Sequence, residues 1–108
     1  MKIILNLTLI LFASVLAAKT ENPTLIIDVR TLIEWDRGHL LDAKHIEWQN
    51  IGQEIAEYTD DKQSKIYVYC RSGNRSGKAK LILEQLGYKN VTNAGGIHEA
   101  QSFIGSEI

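Results

Sequence analysis

What this chain lacks sets the first limits. It has a single cysteine, Cys70, so no internal disulfide can form, and a single proline, Pro23. There is no basic run, no low-complexity tract and no internal repeat. A formal charge of -1 gives nucleic acid or an anionic membrane nothing to hold. With 108 residues there is room for one small domain. The three histidines, His39, His45 and His98, stand at no metal-ligand spacing with each other or with Cys70.

What is present begins with an apolar leader. Lys2 is followed by Ile3 to Leu16, interrupted only by Asn6, Thr8 and Ser14, and then by the small pair Ala17-Ala18. That layout predicts a secretory signal peptide over residues 1–18 and a domain over 19–108. The run is shorter than the roughly 20 residues a bilayer span requires, so stable membrane insertion is not expected. An exported chain usually carries its cysteines in pairs; a lone thiol there is either buried and inert or kept for its reactivity.

Beyond the leader, apolar runs of strand length alternate with helical patterns. Thr24 to Val29 reads as a strand covered on both faces. Thr31 and Glu34 form a T-x-x-E capping box that predicts a helix over Leu32 to Arg37, stopped at Gly38. Ala43 to Glu47 suits a brief strand. Asn50 and Gln53 repeat the capping pattern ahead of Ile51, Ile55 and Tyr58. Ile66 to Tyr69 is the next strand, and Ala79, Ile82, Leu83 and Leu86 mark an amphipathic helix ending at Gly87. Asn90 to Asn93 gives a last strand, Gly95-Gly96 a turn, and Ile97 to Phe103 a final helix. This alternation predicts an α/β fold, a parallel β-sheet flanked by helices on both faces. Ligands in such sheets bind beyond the carboxyl ends of the strands, where Asp28, Cys70 and Asn93 all stand.

The stretch Cys70-Arg71-Ser72-Gly73-Asn74-Arg75-Ser76 joins a strand to a helix expected to start near Ser76. Glycine and small serines let the backbone curl and aim N–H donors at one point. A helix N-terminus and the guanidiniums of Arg71 and Arg75 favour a thiolate. Asp28 is expected to pair with a loop arginine or to accept loop N–H bonds, and Arg30 to pair with Glu34. His39, Trp35 and Trp48 read as structural.

Asp28-Val29-Arg30, Gly38-His39, Tyr69 to Ser76, Gly87-Tyr88 and Asn93-Ala94-Gly95-Gly96 together resemble rhodanese domains, and within them the small periplasmic single-domain type of the phage-shock group. The resemblance implies a single rhodanese-like domain and a sulfurtransferase. Such an enzyme moves a sulfane sulfur from thiosulfate or a similar donor to cyanide or a thiol through a cysteine persulfide. On that reading Cys70 is catalytic; Arg71, Ser72, Gly73, Asn74, Arg75 and Ser76 bind the substrate; Asp28 and Arg30 support the site. No cofactor or metal is implied. The partners implied are a small-molecule donor and acceptor, and the expected form is a periplasmic monomer. A persulfide carrier serving a partner protein is the alternative. A phosphatase or arsenate reductase of the same fold is a weaker rival, because the spacing is Cys70-x4-Arg75 rather than Cys-x5-Arg. Rhodanese domains usually follow Gly-His with an Ile-Pro-Gly-Ala-like turn; Leu40-Leu41-Asp42-Ala43 departs from it, which implies an altered loop.

Overall fold

The computed structural model describes residues 24–108; the expected leader at 1–18 lies outside them. Four parallel strands, β1 (Leu25–Asp28), β2 (Ala43–His45), β3 (Ile66–Cys70) and β4 (Val91–Gly96), form one sheet in the order β2-β1-β3-β4. Between them run α1 (Leu32–Asp36), α2 (Ile51–Glu54, flanked by single 3-10 turns), α3 (Asn74–Gln85) and, last, α4 (Ile97–Ile104).

Strand periodicity divides the core into two layers. Ile27, Ile66, Val68 and Cys70 face one side, where Ile51 of α2, Ile55 of the 3-10 turn after it, and Ala79 and Leu83 of α3 cover them. Ile26, Tyr67 and Tyr69 face the other, packed with Trp35 of α1 and Ile97, Ala100 and Ile104 of α4. Both faces are thus helix-covered, as the continuous apolar strands predict. Leu40 belongs to the second layer and is fully buried, its N–H donating to the Tyr69 hydroxyl at 3.1 Å. The unusual Leu40-Leu41-Asp42-Ala43 turn therefore serves as a core plug, closed by Ala43 N–H on Leu40 C=O at 3.0 Å.

Several local expectations change. The Thr31–Glu34 capping box forms, with the helix ending at Asp36. Asn50 makes no side-chain cap, because the chain enters α2 through a 3-10 turn rather than an extended residue. Leu86, assigned to the apolar stripe of α3, is exposed at its C-terminus. The strand expected over Asn90 to Asn93 runs on to Gly96. Its register against β3 shifts, with Val68 opposite Asn93 but Cys70 opposite Gly96. The extra residue in β4 is a bulge. It sets Gly96 against the Arg71 carbonyl so closely that any Cβ there would collide with that oxygen.

One ion pair ties the two helix layers near the sheet's carboxyl edge. Glu34 of α1 holds Arg75 of α3 through Nη1 to Oε1 at 2.6 Å and Nη2 to Oε2 at 3.0 Å. Arg75, opposed by partial burial and aided by the Thr31 N–H and hydroxyl, brings the Glu34 carboxyl down from 4.5 to about 2. A depressed carboxyl contributes stability that is complete above its unfolded value and is lost as pH falls through its folded one. The difference in urea midpoint between the unaltered protein and Glu34→Gln should therefore be full above pH 4.5 and fade toward pH 2. A difference constant across that window would contradict the pairing.

Candidate active site

β3 ends at Cys70, and the chain turns through Arg71 and Ser72 into Gly73, whose φ of 98° lies in the left-handed region. Glycine adopts that conformation without the Cβ cost other residues bear. From Gly73 the backbone enters α3 directly, so the helix starts at Asn74 rather than near Ser76, and Arg75 and Ser76 belong to its first turn.

The N-cap position of α3 has no side chain to satisfy the first N–H groups. The Cys70 sulfur takes that place. Gly73 N–H donates to Sγ at 3.0 Å, and the Ser76 hydroxyl lies 3.3 Å from it. Cys70 and Ser76 are both fully buried. Burial by itself would push the thiol up. The Ser76 hydroxyl and then the N–H groups of Ser76, Ser72 and Gly73 outweigh that, and the thiol sits below its ordinary value.

The loop is pinned from β4. Asn93 Nδ2 donates to Gly73 C=O at 2.9 Å, and Ser76 Oγ donates to Asn93 Oδ1 at 2.6 Å. Asn93 Oδ1 also accepts the Gly95 N–H at 3.0 Å. The β4 bulge makes this reach available, because it inserts one extra residue between Asn93, opposite Val68, and Gly96, opposite Cys70.

The two loop arginines differ. Arg75, expected to face the sulfur, is held by Glu34 instead. Arg71 is exposed and, among the described residues, has no carboxylate at ion-pair distance. It lines a cavity of about 570 Å³ together with Arg30, Glu34, Arg37, Gly38, Ile97, His98 and Ile108. Cys70 is not among the lining residues. Three guanidiniums against one carboxylate make the cavity cationic.

Asp28 and Arg30 meet each other rather than their expected partners. Fully buried Asp28 binds the Arg30 guanidinium through Nε at 3.0 and 3.1 Å and Nη2 at 2.6 Å, and accepts the Arg30 N–H at 2.9 Å. Arg30 Nη2 also donates to Gly38 C=O at 2.7 Å. The expected Arg30–Glu34 pair does not form, because Glu34 is taken by Arg75. Asp28 reaches neither loop arginine. This pair fixes the β1–α1 turn beside the cavity, a structural task. Ser72 accepts the Asn74 N–H on Oγ at 3.4 Å, and Asn74 is exposed. Trp35 stacks on His39 with centroids 3.3 Å apart, and His39 Nδ1 meets Trp35 C=O at 3.0 Å, which leaves both structural. Among the described residues, no three His, Cys, Asp or Glu side chains are grouped to hold a metal ion.

One residue and one contact of the site escape a reading of the sequence. Glu34 is absorbed by its capping box, and its bond to Arg75 spans 41 positions. Asn93 is marked by its strand-end place, but its contact with Ser76 depends on the bulge.

Comparison with known proteins agrees with the fold. The rhodanese-like domain family model matches residues 12–102. The thiosulfate sulfurtransferase PspE of Escherichia coli is 38% identical over 73 residues, covering 68% of this chain and 70% of that protein. A sulfurtransferase of Allochromatium vinosum is 37% identical over 79 residues, covering 73% and 71%. Among solved structures, a rhodanese with anions from E. coli superposes with a TM-score of 0.69 at 36% identity, covering 71% of this chain and 91% of the other. With a parallel sheet between two helix layers and one cysteine at the carboxyl end of its third strand, the chain belongs to the rhodanese-like domain family.

Proposed function

We propose that the chain is a sulfurtransferase that carries a sulfane sulfur on Cys70. The observation that supports this most is the Cys70 sulfur in the N-cap position of α3, where Gly73 N–H and the Ser76 hydroxyl favour a thiolate. A thiolate is the nucleophile such chemistry needs.

In the first half-reaction the Cys70 thiolate attacks the outer sulfur of thiosulfate or a similar donor. An S–S bond forms, the donor's own S–S bond breaks, and sulfite leaves with the electron pair. In the second, a nucleophilic acceptor such as cyanide or a thiolate bonds to the outer sulfur. The Cys70–S bond breaks and its electron pair returns to Sγ. The N–H groups of Ser72, Gly73 and Ser76 stabilise the sulfur's charge whenever it is exposed as a thiolate, in the manner of an anion hole. Of the two loop arginines Arg71 is the one without a paired carboxylate among the described residues, and it draws in the anionic donor. Arg75, neutralised by Glu34, positions the first turn of α3 instead. Its commitment to Glu34 also argues against a phosphate cradle, which requires the arginine to clamp a tetrahedral oxyanion. Asp28 and Arg30 support the rim. Residues 1–18 direct export to the periplasm, and the domain acts there as a monomer.

Replacing Cys70 with Ser should abolish thiocyanate formation from thiosulfate and cyanide, since an alkoxide is not available at neutral pH. Residual turnover near the original rate would place the nucleophile elsewhere. Arg71→Ala should raise the KM for thiosulfate about tenfold, the scale of one charge-assisted hydrogen bond, with kcat little changed. Arg75→Ala should raise it less, because its charge already serves Glu34. Equal effects of the two variants would contradict this division of roles.

A further inference from the structure

The Ser76 hydroxyl has one proton and two acceptors. It lies 2.6 Å from Asn93 Oδ1 and 3.3 Å from Cys70 Sγ, fully buried and out of reach of solvent. When Cys70 is a thiol, both contacts are satisfied in series: S–H donates to Ser76 Oγ, and Ser76 O–H donates to Asn93 Oδ1. A thiolate has no proton to give, so the hydroxyl must turn and donate to sulfur. Asn93 Oδ1 tolerates that loss, because it keeps the Gly95 N–H at 3.0 Å. Asn93 itself stays in place through Nδ2 on Gly73 C=O.

We propose that Asn93 is a positioning residue for sulfur transfer: it competes with Cys70 for the Ser76 proton, and so sets how readily Sγ exists as a thiolate and how readily it leaves. In the free enzyme the hydroxyl turns to the Cys70 thiolate. Once a sulfur is loaded, the negative charge moves to the outer atom and the hydroxyl returns to Asn93. When the acceptor removes that outer sulfur, Sγ receives the electron pair and the hydroxyl swings back to it. The short Ser76–Asn93 bond therefore favours the thiol and the loaded state, and restrains the free thiolate. The inference rests on Cys70 as the reacting thiol. The ionisation of that thiol is measurable whether or not sulfur is transferred, so failure here is distinct from failure of the sulfurtransferase reading.

The test is the pH dependence of Cys70 alkylation in a double-mutant cycle. Asn93→Ala frees the Ser76 hydroxyl for sulfur and should lower the alkylation midpoint by about half a pH unit to one unit, the scale of one hydrogen bond. In a Ser76→Ala background the same substitution acts only through the lost Gly73 tie and should not lower the midpoint. A residue that merely braces the loop predicts otherwise. Losing its tie to Gly73 would disorder the Gly73 N–H and raise the midpoint, with or without Ser76. A rise, no change, or an equal fall in both backgrounds overturns the proposal. A second measurement needs no change at Asn93. The Gly95 backbone N–H resonance reports the load on Oδ1, so it should titrate with the Cys70 midpoint in the unaltered protein and stay flat after Ser76→Ala. A Gly95 resonance that is flat in the unaltered protein, or that titrates equally after Ser76→Ala, also overturns it.

Discussion

A helix needs something to accept its first N–H groups, and at the entrance of α3 the Cys70 sulfur is one such partner. Most helices place a Ser, Thr, Asp or Asn at the N-cap for the purpose. Here the cap residue is Gly73, without a side chain, and the sulfur arrives from the preceding strand. The requirement runs in both directions. Sγ accepts the Gly73 N–H at the entrance of the helix while Ser72 Oγ accepts that of Asn74, and the sulfur carries negative charge readily because donors converge on it. The left-handed Gly73, the small Ser72 and Ser76, and the tight approach of Gly96 to the Arg71 carbonyl all serve that geometry. Asn93 locks it from the neighbouring strand.

The charges around the loop then take on separate tasks. A guanidinium beside a buried thiolate is the obvious way to stabilise it, yet Arg75 is committed to Glu34 and stiffens the junction between α1 and α3. Arg30 is committed to Asp28 and to the Gly38 carbonyl. Hydrogen-bond donors, the Ser76 hydroxyl first and then the N–H groups of Ser76, Ser72 and Gly73, take the place of a paired cation at the sulfur. Arg71 remains exposed at the edge of the cationic cavity, where attraction of a small anion does not depend on buried pairing.

Local patterns carried much of this in the sequence. The T-x-x-E at Thr31 and the apolar runs of β1 and β3 each depend on neighbours only a few positions away, and each forms its element where it was read. What was hidden depends on long-range register. Glu34 satisfies a capping box alone, so nothing in its surroundings signals the bond to Arg75. Arg30 has a carboxylate on either side, and the distant Arg75, by taking Glu34, leaves it to buried Asp28. The start of α3 was displaced because no capping side chain announces it. The β4 bulge is invisible in Asn90 to Gly96, where paired glycines suggest a turn and instead permit a close approach.

The central claim is that Cys70, and no other group, accepts sulfur from the donor. Intact-mass spectrometry of the protein incubated with thiosulfate, followed by peptide mapping, addresses it directly. The account predicts the gain of a single sulfur atom, located on the Cys70 peptide and removed again by cyanide. An unchanged mass, or a sulfur found on any other peptide, would contradict it.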